Sequence, residues 1–178
     1  MPKVSQSHLD ARREQILDAA RDLFAARGFA HTSMPDIVEK SGLSVGAIYR
    51  YFTGKDEIVR AICEQGAQSL PGELTAPAIR AFLEEVQTLS KQRGHAQLVA
   101  QIYAEAAVSP DVAGIVRTQL DEVRARLAAL VPERDAADAR RMAVAFAALC
   151  QGYSLQMAVG VDVDVDAATA ALLAASRL

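Results

Sequence analysis

Between Thr32 and Phe52 the chain spells two very short helices around a glycine, and this stretch constrains the fold more than any other. Ser33 and Asp36 have the spacing of a capping box, and Pro35 sits in the first helical turn, where its missing N–H costs little. That helix lasts about two turns, to Ser41. Gly42 and Leu43 follow, and Ser44 is placed to cap a third helix, Val45 to Phe52. Helices this short are marginal in water and need a larger partner to pack against. The partner is the preceding segment, Leu9 to Arg27. There Leu9, Ile16, Ala20, Leu23 and Phe24 repeat at helical spacing, and Gly28 provides the stop. Leu43 plugs the angle of the turn. Ile37, Val38, Ile48 and Phe52 complete a small core against Ile16, Leu23 and Phe24. Two short helices at a Gly-containing turn form a helix-turn-helix. The remaining residues of its second helix, Val45, Gly46, Ala47, Tyr49, Arg50 and Tyr51, are then directed outward.

The rest of the 178 residues continues in the same class. Thr53-Gly54-Lys55-Asp56 is a further S/T-x-x-D start and opens a fourth helix, expected to end near Ser69. Helices are predicted over 76–93, 95–108, 111–130 and 136–159, with a last one from Ala167 to Leu178 capped by Asp166. On the first of these, Phe82, Val86 and Leu89 are expected to face inward. The chain holds 35 alanines against 10 glycines and 6 prolines, and alanine favours helix. The predicted architecture is all-α: an N-terminal three-helix helix-turn-helix domain, residues 1–54, then a C-terminal helical ligand-binding and dimerisation domain, residues 55–178. No linker separates the two, and no repeat is present.

Several classes of function are excluded. A hydrophobic share of 51% is globular composition rather than disorder. The longest apolar run, Met142 to Cys150, is far short of the ~20 residues that cross a bilayer, so no membrane partner is expected. No early apolar stretch of leader type is present, and Cys63 and Cys150 form no paired motif. A reducing, cytoplasmic location is the expectation. His8, His31 and His95 are too dispersed for zinc. Asp162, Asp164 and Asp166 have calcium-loop spacing, but Ala167 and Leu173 stand where that loop needs glycine and glutamate. No nucleophile elbow or phosphate loop occurs, so neither enzyme activity nor a metal or cofactor is expected.

The outward face of the third helix carries the chemistry. A helix-turn-helix lays its second helix in the DNA major groove. Gly46 and Ala47 let the backbone approach, and Ser44 lies at a helix start suited to phosphate oxygens. Tyr49 and Tyr51 offer phenolic groups, and Arg50 and Lys55 supply positive charge. The whole chain is acidic, net −3, yet residues 1–60 carry nine Lys and Arg against eight Asp and Glu. The sign change agrees with an N-terminal part that approaches phosphates.

The run from Thr32 to Val38, then Ser41 to Phe52 and Lys55-Asp56-Glu57-Ile58, resembles the DNA-binding region of TetR-family transcriptional regulators. Ile16 to Ala20 with Leu23-Phe24 and Gly28-Phe29 is also similar. The resemblance covers residues 13–60, about a quarter of the chain. It implies that Thr32 and Ser33 meet phosphate at the start of the second helix. It places Ser44, Val45, Gly46 and Ala47 at the groove-entering end, and Tyr49, Tyr51 and Lys55 on backbone phosphates. Val45 stands where a polar reader would be better, which favours apolar contact with a thymine methyl. The resemblance further implies a homodimer on a palindromic double-stranded operator, joined by its last two helices.

The C-terminal helices offer candidate ligand contacts that mix apolar bulk with a few polar groups. These are Phe82, Val86, Gln101 and Tyr103, with Phe146, Cys150, Gln151 and Met157 further along. A small, largely apolar effector is the expected ligand. Small residues at Ala143, Ala147, Gly152, Ala168, Ala171 and Ala175 suggest a close-packed seam for dimerisation. The expected function is ligand-responsive DNA binding, most simply repression. The alternative is a helical small-molecule-binding protein or enzyme with an incidental helix-turn-helix.

Overall fold

The computed structural model describes residues 6–177. Nine α-helices and no strand are present among them. They are α1 (Gln6–Arg27), α2 (Met34–Ser41), α3 (Val45–Tyr49), α4 (Lys55–Gln68), α5 (Ala76–Arg93), α6 (His95–Ala106), α7 (Pro110–Ala128), α8 (Ala136–Ala158) and α9 (Val165–Ala175). The predicted all-α architecture, an N-terminal helix-turn-helix followed by a larger helical part, is what forms.

Local chemistry explains most boundaries. The Ser33 hydroxyl accepts the Asp36 N–H, and the Asp36 carboxylate accepts the Ser33 N–H at 2.7 Å, which completes the capping box. Gly42 then adopts φ +68° and ends α2 with a left-handed cap. Other boundaries differ from expectation. Helix α3 stops at Tyr49, not Phe52, and Arg50 caps it. The N-cap of α4 is Gly54, without a side-chain bond; Thr53 instead donates its backbone N–H to the Glu57 carboxylate at 2.6 Å. Helix α9 begins earlier than predicted because Asp164, not Asp166, accepts the first free N–H groups. Its predicted last residue, Leu178, lies outside the described residues.

Two apolar clusters organise the packing. The first joins α1, α2 and α3 through Ile16, Phe24, Ile37 and Ile48, all 1% exposed or less, with Leu43 packed at its edge. It continues without a break through Ile58 and Ile62 of α4 to Ile102 of α6 and Val116 of α7. The second lies among α5, α7, α8 and α9, centred on Ile79, Leu127, Met142 and Leu172. On α5 the fully buried positions are Ile79 and Leu83, whereas Phe82, Val86 and Leu89 are only half-buried. The true inward face is rotated by one residue from the predicted one.

The junction between α5 and α6 is made by Gly94 at φ +64°, and a Cβ there would stand 3.2 Å from the Ala25 Cβ of α1. Gly42 has nearly the same φ but open space around it. Gly42→Ala is therefore expected to cost only the left-handed strain, about 1–2 kcal/mol. Gly94→Ala carries the same strain plus the collision with α1, and should lower the urea midpoint further than Gly42→Ala. Equal midpoints for the two variants would show that α1 does not press on this junction.

Candidate nucleic-acid interface and interior cavity

The first candidate site is the outer surface of α2 and α3. Helix α3 fixes itself by one buried side chain, Ile48, and by the Ser44 hydroxyl, which accepts the Ala47 N–H at 3.3 Å. With Ile48 inward, Val45 and Tyr49 are left 58% and 48% exposed. Gly46 has nothing near its absent side chain, and Ala47 is half-buried. Arg50 is exposed just beyond the helix. These five residues make one small, open, mostly apolar face with a cation at its edge.

Other residues expected on this face lie differently. Thr32 is 1% exposed, its hydroxyl donating to the Gly28 carbonyl at 2.9 Å and its N–H to the Phe29 carbonyl. Its polar groups thus tie the α1–α2 loop rather than face outward. Ser33 is exposed but engaged with Asp36. Those hydrogen bonds from Ser33, helped by Arg27 and Lys55, hold the Asp36 carboxyl below its usual range. Tyr51 follows the end of α3, so its ring turns back half-buried onto the core. Lys55 donates to the Phe29 carbonyl at 2.8 Å and lies 4.1 Å from the Phe29 ring centre. Two of its ammonium protons remain for another acceptor.

The second candidate is a cavity of about 190 Å³ between α4, α6, α7 and α8. Four of the expected ligand residues meet there: Tyr103, Phe146, Cys150 and Gln151. The other four lie elsewhere. Phe82 and Val86 are on α5, outside the cavity. Met157 borders a surface cleft beside the α8–α9 turn. Gln101 is exposed on the opposite side of α6 from Tyr103, with its carbonyl oxygen 2.9 Å from where a Cβ on Gly28 would be. Ile62, Cys63, His95, Leu98, Gln119 and Leu120 also line the cavity and were not anticipated as such. Their only sequence signal was helical periodicity, which is the same for a filled core and for one with a hole.

Among the described residues, no Asp, Glu, Lys or Arg lines this cavity. Burial pushes the Cys63 thiol up to about 11, helped by Glu64, and the Cys150 thiol up to about 12. Burial also raises Tyr103, whose hydroxyl oxygen accepts the Gln151 amide N–H at 2.6 Å. Burial, then the nearby Arg21 charge, lowers His95. At neutral pH the walls are uncharged.

Comparison with known proteins agrees with this arrangement. Residues 16–62 match the model of bacterial regulatory proteins of the tetR family, and residues 75–177 match that of the BetI-type transcriptional repressor C-terminal domain. The chain belongs to the tetR family of bacterial regulatory proteins. It is 46% identical over 65 residues to the HTH-type transcriptional regulator YfiR of Bacillus subtilis. It is 40% identical over 70 residues to the HTH-type transcriptional repressor Rv1474c of Mycobacterium tuberculosis. Those matches cover 36% and 39% of this chain, and only 32% and 37% of the relatives' own lengths. Over the whole fold it is similar to Salmonella enterica GusR, with a TM-score of 0.74 at 23% identity, covering 99% of this chain and 100% of that one. The relatives named are regulators, not enzymes. Among the described residues no helix is long and apolar enough to cross a membrane.

The His95 environment gives a pH prediction. Its pKa is lowered in the fold, so below the ordinary 6.5 the unfolded chain binds the proton more readily. Stability is fully present above that value and is lost as pH falls through the lowered folded pKa. His95→Gln removes this component. Between pH 7 and pH 5.5 the parent should lose more thermal stability than the variant; identical losses would mean that His95 is not held neutral.

Proposed function

We propose that this protein is a DNA-binding transcriptional repressor that acts as a homodimer on a palindromic operator and is released by a small, largely apolar effector. The observation that carries the reading is the open face of α3. Val45 and Tyr49 are large and exposed on a helix only five residues long, and nothing among the described residues covers them. Ala47 and Gly46 beside them leave the backbone accessible to a groove. Val45 can contact a thymine methyl, Tyr49 and Arg50 reach toward phosphates or base edges, and Lys55 has protons left for a phosphate. We take residues 1–54 as the DNA-reading domain and 55–178 as the effector and dimerisation domain, working in the cytoplasm, where operator DNA is found.

Two variants test the DNA contact in a gel-shift or anisotropy assay on operator sequences selected from a random pool. Ala47→Glu puts charge and bulk against the groove and should abolish binding. Lys55→Ala should weaken all sequences alike and reduce the salt slope by about one counterion. Retained affinity in Ala47→Glu would remove α3 from the interface.

The dimer reading rests on α8 and α9. Ala143, Ala147, Ala168 and Ala175 of the expected seam are buried within the protomer. The exposed stripe is the neighbouring one: Val144, Ala148 and Leu155 on α8 with Val159 at its C-cap, beside Ala167, Ala170 and Ala174 on α9. Val144 and Leu155 are 43% and 46% exposed, and the positions repeat at spacings of four and seven. The double variant Val144→Glu with Leu155→Glu should sediment as a monomer and lose operator affinity. An unchanged dimer would place the interface elsewhere.

A further inference from the structure

The cavity between α4, α6, α7 and α8 is lined by the polar side chains of His95, Gln119 and Ser154 and by one bonded polar pair. Gln151 on α8 donates its amide N–H to the Tyr103 hydroxyl oxygen on α6 at 2.6 Å. That single bond leaves the Tyr103 proton free to donate and the Gln151 carbonyl oxygen free to accept. The pair therefore presents one donor and one acceptor side by side, on a wall that is otherwise mostly Ile, Leu, Val and Phe. An apolar guest would offer neither of them a partner. An anion or cation would find no countercharge, because no ionised side chain among the described residues lines the space.

Size narrows the choice further. The cavity is about 190 Å³, below the ~300–1,000 Å³ usual for drug-sized ligands. A dry cavity of ~150 Å³ is enough for benzene. The space therefore suits one substituted ring, or a chain of equal volume.

We propose that Tyr103 and Gln151 form the specificity-determining pair of this cavity. They select an uncharged, single-ring-sized molecule bearing a carbonyl next to an N–H or O–H, as in a primary amide or a hydroxy-ketone. The ligand carbonyl accepts the Tyr103 proton, and its N–H or O–H donates to the Gln151 carbonyl oxygen. This rests on the effector-controlled reading above and adds the chemistry of the effector. Both partners lie on helices that reach further: α6, whose Gln101 lies beside Gly28 of the N-terminal helix-turn-helix part, and α8, which carries the exposed stripe. The neutral state of Cys63, Cys150 and His95 is in accord with it.

The test uses the full chain without DNA and three probes of nearly equal shape: benzamide, benzoate and isopropylbenzene. Calorimetry and thermal shift should show benzamide binding best, isopropylbenzene more weakly, and benzoate not at all. Tyr103→Phe and Gln151→Leu should each weaken benzamide about three- to ten-fold, the loss of one neutral hydrogen bond, and leave isopropylbenzene unchanged. Retained isopropylbenzene binding shows that the variants are folded. Benzoate binding as tightly as benzamide, variants that keep the parent's preference, or no binding by any probe would each overturn the assignment. Operator affinity is measured separately with and without benzamide. Binding that leaves operator affinity unchanged would overturn the effector reading but not the recognition pair.

Discussion

The burial of α4 on both sides is the constraint on which the rest of the structure depends. Ile58, Val59, Ala61 and Ile62 are all 8% exposed or less, and they belong to the same apolar cluster as Ile16 and Phe24 of the head and Ile102 and Val116 of the larger domain. Fully burying a residue of this size is worth ~1.5–3 kcal/mol, so α4 cannot leave either partner without a large loss. A polar net reinforces the head side. Arg21 pairs with Glu14 and Asp18 at 2.8 Å and also bonds Gln65 of α4, which in turn donates to Glu14 at 2.8 Å. Burial acts to raise the Glu14 pKa, but the hydrogen bonds from Arg21 and Gln65 outweigh it and hold the carboxyl below its ordinary value. The helix packs on α1 at one side and on α7 at the other, and borders the cavity through Ile62 and Cys63.

How much of this was legible in the sequence follows the range of the forces involved. The head was legible because its signals are local: Ser33 with Asp36, Gly42, Ser44 and Gly28 each act within four residues. The caps of α4 and α9 were less so, because Gly54 and Thr53, or Asp164 and Asp166, compete within one turn, and the exact chain path decides. Thr32 shows the next limit. A threonine ahead of a helix reads as a surface hydroxyl, but the Gly28 turn brings a free carbonyl within 2.9 Å and buries it. Long-range features were least visible. Nothing in the spacing of Gln101 and Tyr103 says which faces Gly28 and which faces Gln151. Alanine-rich α8 offers two small-residue stripes one position apart, and only packing against α7 and α9 shows that Ala143 and Ala147 are inside while Val144 and Ala148 are outside.

The same helix geometry lets one helix present several distinct surfaces. A helix of 23 residues has room for a buried face, a cavity wall and an exposed stripe at once. On α8, Met142 and Phe146 hold the second core, Cys150 and Gln151 border the cavity, and Val144 and Leu155 remain outside. Because interiors are close-packed, a shift imposed on one face is passed to the others rather than absorbed.

The size and walls of the cavity then set how a ligand could act at a distance. A ligand alters the balance between two conformations only by binding them unequally. A deep, roomy pocket accepts a guest without discriminating between states. On the effector reading proposed above, one of about 190 Å³, bounded by α4 on one side and by α8 on the other, would discriminate. A guest slightly too large for the space would favour an arrangement with looser walls, by up to the cost of overpacking the tighter one. Overpacking a tight core costs ~1–3 kcal/mol. That is the same scale as the ~1–3 kcal/mol of coupling found between allosteric sites. On the proposed effector reading, a space of this size beside α4 could thus bias the N-terminal part by that amount without a relay of specific contacts from the cavity to α3.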